Sequence, residues 1–403
     1  MPQIRIDRTP IIDYRLGLFG ADRLFLSDVQ DENAREQIQD GWFTIEGLRS
    51  VGTAESGALL GVEGTDGRTT ISESNHGLTG SDLVRIIGTP TSRLSTVIEF
   101  PQGAFEAWET LSVYGEDIDN NFLPYFIATR PGLPTPTSNS SSVVASVLFY
   151  AGIDIAEHLP LGFRRFTTGT QTLLGTPDRD ELFVTSNFKN LLGGRGSDIL
   201  HGGDGTNRLS GGLDADLFLW SPGLDFIHGG QVNTPYQRDG EDVAAYGGAG
   251  VVRVDGNPVP AAHLLPNLIV TYQGGRDLLF SIERLQWNQG NDEIIFGEWA
   301  VISRDNTLFD LKGDEGGRGD KVSFNEVTNE LLINAVNSDR LSIKGQAAEG
   351  DATWFLDSVE WIEGSSRNDT IYANSGLRVI DGGDGDDFID ARLDLAFAGG
   401  SPG

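Results

Sequence analysis

The 403-residue chain contains no cysteine, one methionine, five histidines and only 29 basic side chains against 59 acidic ones. Without cysteine there are no disulfides, thiolate metal sites, iron–sulfur clusters or cysteine nucleophiles. The shortage of lysine and arginine leaves a formal net charge of -30, which repels phosphate and excludes a nucleic-acid partner. Long apolar runs are missing too. No stretch approaches the roughly 18 apolar residues of a membrane span, and Met1 to Gly17 breaks each apolar run with a charge or a proline, so no cleavable amino-terminal export signal is expected. At 38% hydrophobic and 22% charged the composition is that of a folded chain, long enough for about two to three domains. What the chain has in excess is glycine, 53 residues, where an average share would be about 7%. Glycine and carboxylate in joint excess point to frequent turns and to neutralisation by hard cations.

The glycines keep a period. From Gly175 the chain divides into five consecutive blocks of nine: GTPDRDELF, VTSNFKNLL, GGRGSDILH, GGDGTNRLS and GGLDADLFL. The eighth place is always apolar (Leu182, Leu191, Leu200, Leu209, Phe218), and the sixth is Asp180, Lys189, Asp198, Asn207 and Asp216. A flexible linker has no reason to keep an apolar residue at every ninth place. The first six residues of a block read as a glycine turn and the last three as a short strand whose eighth residue enters a core. The period returns at Ile362, Ile371, Ile380, Ile389 and Ala398, with turns GSSRND, ANSGLR and GGDGDD and with Asp369 and Asp387 again 18 apart. Gly400 to Gly403 open a further block, so the sequence stops inside a turn. Between these arrays SIERLQWNQGNDEII (281–295) and SVEWIEGSSRNDTIY (358–372) align without a gap at an offset of 77. Each follows a strand-like segment, EDVAAYGGAGVVRV (241–254) and GDKVSFNEVTNELLI (319–333).

The nonapeptide G-G-x-G-x-D-x-U-x resembles the repeat of the RTX calcium-binding family, and the 241–295 and 319–372 segments resemble the spacers of such proteins. The resemblance implies a right-handed parallel β-roll with interruptions from about 175 to 403. It also implies Ca2+ held between turns stacked on one side, by turn carbonyls and by the sixth-place aspartates of both turns. The positions carried over are Gly175, Asp180, Gly193, Gly194, Gly196, Asp198, Gly211, Gly212, Asp214 and Asp216, then Gly202, Gly203, Gly205 and Asn207. In the later part they are Asp292, Asp369, Gly382, Gly383, Gly385 and Asp387. Asp180, Asp198 and Asp216 fall on one edge and are expected to hold two ions, with one more between Asp369 and Asp387. Lys189, Asn207 and Arg378 degrade the alternate turns, which are expected to bind weakly or not at all. The all-oxygen ligand supply favours calcium over magnesium, whose octahedral demand is stricter. Proteins of this kind leave Gram-negative bacteria unfolded through a type I channel, using an uncleaved signal beyond the repeats, and fold outside, so a secreted location and calcium-coupled folding are implied.

Residues 1–165 differ. Tyr14 to Val29, Trp42 to Val51, Gly57 to Glu63 and Leu83 to Ile87 read as strands, and Phe105 to Tyr114 as a helix. PGLPTPTSNSSSVVASVLFYAG (131–152) reads as a proline loop, a serine-rich cap and an apolar helix with Val143, Val144, Val147 and Leu148 inward and Gly152 at its end. The stretch SNSSSVVASVLFYAG resembles the nucleophile helix of permuted papain-like proteins of the NlpC/P60 type. Asn139 then matches the asparagine and Ser140 the nucleophile, but Asp22 stands where that family has histidine. Three readings stay open: Ser138 to Ser142 cap a helix, Ser140 is a nucleophile, or a degenerate papain-like fold is kept for binding. No H-E-x-x-H zinc motif occurs among the histidines. The G-x-S-x-G match at Gly399 to Gly403 has no helix after it, and the Arg318-Gly319-Asp320 triplet lies in a glycine turn where Asp320 is expected to serve calcium rather than adhesion.

The sequence therefore describes an α+β amino-terminal domain (1–165) followed by an all-β roll: a first block (166–220), a spacer (221–300), and a second spacer with the carboxyl-terminal block (301–403). The expected function is calcium-dependent folding that displays an amino-terminal module to a protein or glycan target. The competing readings are a Ser140 hydrolase or amidase and a calcium-assembled surface protein.

Overall fold

A computed structural model describes residues 3–13, 18–29, 42–51, 58–65, 70–71, 94–98, 104–121, 138–159, 169–230, 240–256, 268–287, 292–297, 308–312, 320–335, 340–345 and 353–391, with positions 100, 123 and 136. Contacts group the chain into two compact units, one of residues 1–200 with 208–214, the other of 201–207, 215–230 and 239 onward.

In the first unit, β1 (Gln3–Asp13), β2 (Leu18–Val29), β3 (Trp42–Val51), β4 (Ala58–Thr65), β5 (Thr70–Ile71) and β6 (Leu94–Ile98) form an antiparallel sheet of order β5-β4-β3-β2-β1-β6. The strands expected at Tyr14 to Val29, Trp42 to Val51 and Gly57 to Glu63 correspond to β2, β3 and β4, whereas Leu83 to Ile87 lies outside the described residues. Strand β1 was not among the expected strands, yet Ile4 and Ile6 alternate with Arg5 and Asp7 at the two-residue period of a strand. Helix α1 (Ala104–Asn120) runs beyond the expected Tyr114 because its apolar stripe continues: Ala107, Leu111 and Ile118 are all buried.

Helix α2 (Ser140–Tyr150) is capped by Asn139, whose Oδ1 accepts from Ser141 N at 2.9 Å and Ser142 N at 3.4 Å, while Asn139 N donates to Ser142 Oγ at 3.3 Å. The cap is thus a reciprocal box built on the asparagine. Val143, Val144, Ala145, Val147 and Leu148 are fully buried, and Gly152 follows at φ 79°. A helix apolar on every side needs neighbours on every side, and α2 touches α1, β2, β3 and the strand β7 (Thr172–Leu174).

From β7 onward the nine-residue blocks become strands. β8 (Glu181–Phe183) and β10 (Ile199–His201) belong to one sheet; β7, β9 (Asn190–Gly194) and β11 (Gly205–Gly212) pair in parallel in another, aligning Leu173 with Leu191 and Leu191 with Leu209. Leu182, Leu191, Leu200 and Leu209 are 0–3% exposed, as the eighth-place rule requires.

The second unit opens with β12 (Leu217–Leu219) and β13 (Gly223–Gly230), and then departs from the two-strand coil. β14 (Val243–Ala245) pairs β12, but β15 (Val251–Gly256), β16 (Leu268–Tyr272) and β17 (Gly275–Phe280) form an antiparallel meander, inserted so that β17 pairs β13 and β15 pairs β19. β18 (Arg284–Gln286) and β19 (Glu293–Phe296) resume parallel pairing, followed by β20 (Leu308–Lys312) and β21 (Lys321–Ser323). A second meander, β22 (Leu331–Ala335), β23 (Arg340–Gly345) and β24 (Thr353–Asp357), enters the opposite sheet, between β20 and β26 (Thr370–Tyr372). β25 (Trp361–Glu363), β27 (Val379–Asp381) and β28 (Phe388–Asp390) complete the unit.

The meanders explain the 77-residue repeat. Ser281 and Ser358 each follow the third meander strand and are two of only three non-glycine residues with positive φ among the described residues, at 51° and 57°. The second copy begins half a coil out of phase, which sends its meander to the other sheet. Core packing concentrates here, in fully buried Trp287, Trp354, Tyr246, Phe296 and Phe324. Toward the last coil burial fades: Ile362 and Ile371 are fully buried, but Ile389 is 42% exposed.

Truncation of Leu191 to alanine is expected to cost about 2–5 kcal/mol, and of outward-facing Val379 to stay within about 0.5 kcal/mol. Denaturant melts of both variants in millimolar calcium check this; equal losses would show that the eighth-place residues are not the core.

Candidate metal centre on the turn edges

In the first unit the turns that carry aspartate at the sixth place are linked through their carboxylates. Asp180 N donates to Asp198 Oδ1 at 2.9 Å, and Thr176 N donates to Asp180 Oδ2 at 2.6 Å. A side chain at Gly175 would meet the Gly193 carbonyl at 2.5 Å and Asp180 Oδ2 at 2.7 Å; one at Gly193 would strike Asp198 Oδ2 and approach the Gly211 carbonyl at 2.8 Å. Carboxylate oxygen and the next coil's carbonyl therefore converge on space that only glycine leaves open. Gly194 and Gly196, at φ 105° and 98°, turn the chain through this corner. Gly212, Gly383 and Gly385 do the same at 129°, 87° and 126°. Asp214, at φ 74°, reaches Gly196 N at 3.3 Å from an exposed position.

In the second unit the edge ahead of β12, β14, β18, β26 and β28 carries Asp216, Asp242, Glu283, Asp369 and Asp387. Asp216 N donates to Asp242 Oδ1 at 2.9 Å and Asp242 N to Glu283 Oε2 at 3.0 Å, so the spacer continues the ladder with residues that nine-residue counting does not reach. Asp369 N donates to Asp387 Oδ1 at 2.9 Å, and a side chain at Gly364 would meet the Gly382 carbonyl and Asp369 Oδ2. Asp369 also accepts from Ser365 N at 2.6 Å and from Ser365 Oγ at 2.8 Å.

The other edge is different in kind. The Asn207 amide nitrogen donates to Asp225 Oδ1 at 2.9 Å and to the Gly203 carbonyl, so an N–H group stands between carboxylate and turn carbonyl. Ser221 Oγ donates to Asp225 Oδ2 at 3.1 Å, Asp225 N to Asp277 Oδ1 at 3.3 Å, Tyr272 OH to Asp277 Oδ1 at 2.9 Å and Tyr246 OH to Asp277 Oδ2 at 3.0 Å. Every oxygen of both carboxylates thus receives a protein donor. Sequence reasoning missed Asp225, Asp277, Tyr246 and Tyr272; Asp225 lies 18 residues after Asn207 and was legible, whereas Asp277 is brought in by the meander. Further along this edge are Asp292, Asp320 and Glu360, linked by Asp292 N to Asp320 Oδ1 at 3.1 Å and Asp320 N to Glu360 Oε2 at 3.1 Å. Asp292 and Asp369, equivalent in the 77-residue repeat, consequently occupy opposite edges. Asp320, 1% exposed, is a turn carboxylate inaccessible to an adhesion partner.

Burial raises these acids. Asp198 is pushed up to about 7 by desolvation, opposed by the Asp180 N–H and reinforced by the Asp180 and Asp214 charges. Asp180 and Asp369 move up from the same leading cause. Asp225 reaches about 6 and Asp277 about 7, again chiefly by desolvation and despite their donors. Oδ2 of Asp198 and of Asp216 is buried and receives no hydrogen bond, although each residue is held through its other groups. Among the described residues no three His, Cys, Asp or Glu side chains cluster as a metal site. The donor set is instead two carboxylates and backbone carbonyls, hard oxygen ligands in a flexible turn, which suits calcium.

Ser140 is the first residue of α2, directly after its cap, and α2 packs on β2, the strand that carries Asp22. His158 caps the short 3-10 helix Ile155–Glu157 beyond the carboxyl end of α2. His76 and the Gly399 to Gly403 motif lie outside the described residues. His228 is buried against Phe280, its rings 6.2 Å apart, and burial lowers it to about 4.

A family model for the RTX calcium-binding nonapeptide repeat matches in four copies, over residues 190–218 and 357–389. No curated protein and no solved structure matches the chain. The chain thus carries calcium-binding RTX repeats, and no helix among the described residues is long and apolar enough to cross a membrane.

Replacing Asn207 by aspartate exchanges the donor for a ligand, so N207D is expected to add one calcium to the count by equilibrium dialysis, and D198N to remove at least one. An unchanged count in both would dismiss the edge assignment. In metal-free protein the raised acids hold protons that the unfolded chain, at about 3.8, releases. Stability of the metal-free roll is therefore expected to fall as pH climbs from about 4 to about 7 and to be lowest above that window. Thermal melts across pH in calcium-stripped buffer test the sign.

Proposed function

We propose that this chain is a secreted calcium-binding RTX-type protein whose β-roll, right-handed in its coiling, folds on meeting calcium outside the cell. There it displays the amino-terminal module to a protein or glycan target. The observation that carries the reading is the convergence of a turn carboxylate with a carbonyl one coil away: Asp180 with Gly193 at Gly175, Asp198 with Gly211 at Gly193, and Asp369 with Gly382 at Gly364. Such a site does not exist in the unfolded chain, so ion binding and folding share one free energy. Without metal the stacked charges repel in a partly desolvated setting. Extracellular modules of this ligand type bind at about 10⁻⁴ to 10⁻³ M, which places the transition between cytoplasmic and external calcium and fits export of an unfolded chain through a type I channel of a Gram-negative bacterium.

A second reading is supported by one observation, the packing of α2 against β2 and β3 with Ser140 at its amino end. A papain-like hydrolase or amidase would place its nucleophile there. The absence of histidine at Asp22 makes binding the better assignment for this module, since a serine hydroxyl needs a base. A fluorophosphonate probe that labels the chain but not S140A would reverse that preference.

Circular dichroism of the full chain is expected to show low β content in chelator and a cooperative gain between about 0.1 and 1 mM calcium. Identical spectra in chelator and calcium would sink the folding switch.

A further inference from the structure

The first calcium turn is gripped from outside the roll. Asn121, one residue beyond α1 and 1% exposed, donates from Nδ2 to the Gly193 carbonyl at 2.7 Å and accepts at Oδ1 from Arg195 N at 2.5 Å. A side chain at Gly194 would collide with that amide, so glycine there serves the docking as well as the turn. The Gly193 carbonyl is the same one that converges with Asp180 Oδ2 on Gly175. Helix α2 holds the other half of the cradle. Ser146 Oγ accepts from Leu174 N and Tyr150 OH donates to Leu174 O, both at 2.9 Å, and Leu174 immediately precedes Gly175. The Tyr114 and Tyr150 rings stack at 5.0 Å and join the helices. Ser142 Oγ, part of the α2 cap, donates to the Gly169 carbonyl at 3.1 Å ahead of β7.

Both strands that must be aligned for an ion to bind between turns 175–180 and 193–198 are thus held by the helix pair, one through Leu174 and the other through Gly193 and Arg195. We propose that this calcium site and the α1–α2 helix pair form one coupled element, with Asn121 as the positioning residue that aims the Gly193 carbonyl. The inference rests on the reading that this edge binds calcium. Calcium at the site orders the surface on which the helices dock, and the docked helices raise the affinity of the site by the same factor, because linkage is reciprocal. The amino-terminal module is thereby told that the roll is loaded.

The test is hydrogen–deuterium exchange of the full chain across a calcium titration, read separately for residues 104–121, 140–150, 193–200 and 361–390. In the unaltered protein both helices gain protection at the calcium concentration that protects 193–200. N121A moves the 193–200 midpoint to higher calcium by about fivefold to tenfold and uncouples the helices, while the 361–390 midpoint stays in place and reports that the chain still folds. D387N moves the 361–390 midpoint alone. Y150F, which weakens docking without touching the 193–195 turn, shifts helix protection more than the 193–200 midpoint. Helices equally protected in chelator and in calcium, or an unmoved 193–200 midpoint in N121A, would overturn the coupling while leaving the calcium reading intact. If no segment responds to calcium, both fall together.

Discussion

One hydrogen bond recurs throughout the roll and organises it: the backbone N–H of a sixth-place residue donates to the carboxylate, or its equivalent, one coil away. It joins Asp180 to Asp198, Asn207 to Asp225, Asp216 to Asp242, Asp292 to Asp320 and Asp369 to Asp387. This bond sets the register of stacked turns, and it also stacks like charges in a setting that desolvates them. The constraint is severe, because buried carboxylates need either protons, donors or a cation. The Asp180–Asp198 and Asp225–Asp277 pairs answer it differently.

At Asp180 and Asp198 the carboxylates converge with the turn carbonyls of Gly193 and Gly211, an oxygen-rich setting that suits a cation. On the opposite edge Asn207, Ser221, Tyr246 and Tyr272 supply donors to Asp225 and Asp277. The tyrosines belong to a buried aromatic group in which Tyr246 lies 5.9 Å from both Tyr272 and Trp287. Hydrophobic burial and donor supply are thus delivered together, at the point where the meander interrupts the coil. Around Asp225 and Asp277 packing and side-chain donors organise the turns, whereas the carboxylate–carbonyl convergence at Gly175 and Gly193 has the chemistry a hard cation would organise.

The amino-terminal helices meet the roll at its first coil, where β7 has a roll neighbour, β9, on one side only. An exposed end strand leaves backbone groups without partners. Ser146 and Tyr150 satisfy Leu174 there, and the all-round burial of Val143, Val144, Val147 and Leu148 follows from a helix placed between a sheet and a roll. The apolar run that suggested a helix in sequence is therefore apolar on every side for a tertiary reason.

Much of the roll was legible from one dimension. Eighth-place leucines and sixth-place aspartates depend only on the two-residue alternation of strands and on turns of constant length, and both are local properties. The serine-rich helix start was legible for the same reason, and within it Asn139 and Ser142 together form the capping box. Edge membership was not legible beyond the regular blocks. Asp292 and Asp369 are equivalent in sequence, yet a half-coil shift between the two spacers puts them on opposite edges, and Asp277 reaches Asp225 only because β17 pairs with β13. Nor does any local pattern link Asn121 to Gly193, 72 residues away. The sequence by itself determined which residues turn, which enter the core and that oxygen would be the ligand. The tertiary structure decided which carboxylates converge with turn carbonyls and which meet side-chain donors, because that depends on how strands far apart in the chain come to lie side by side.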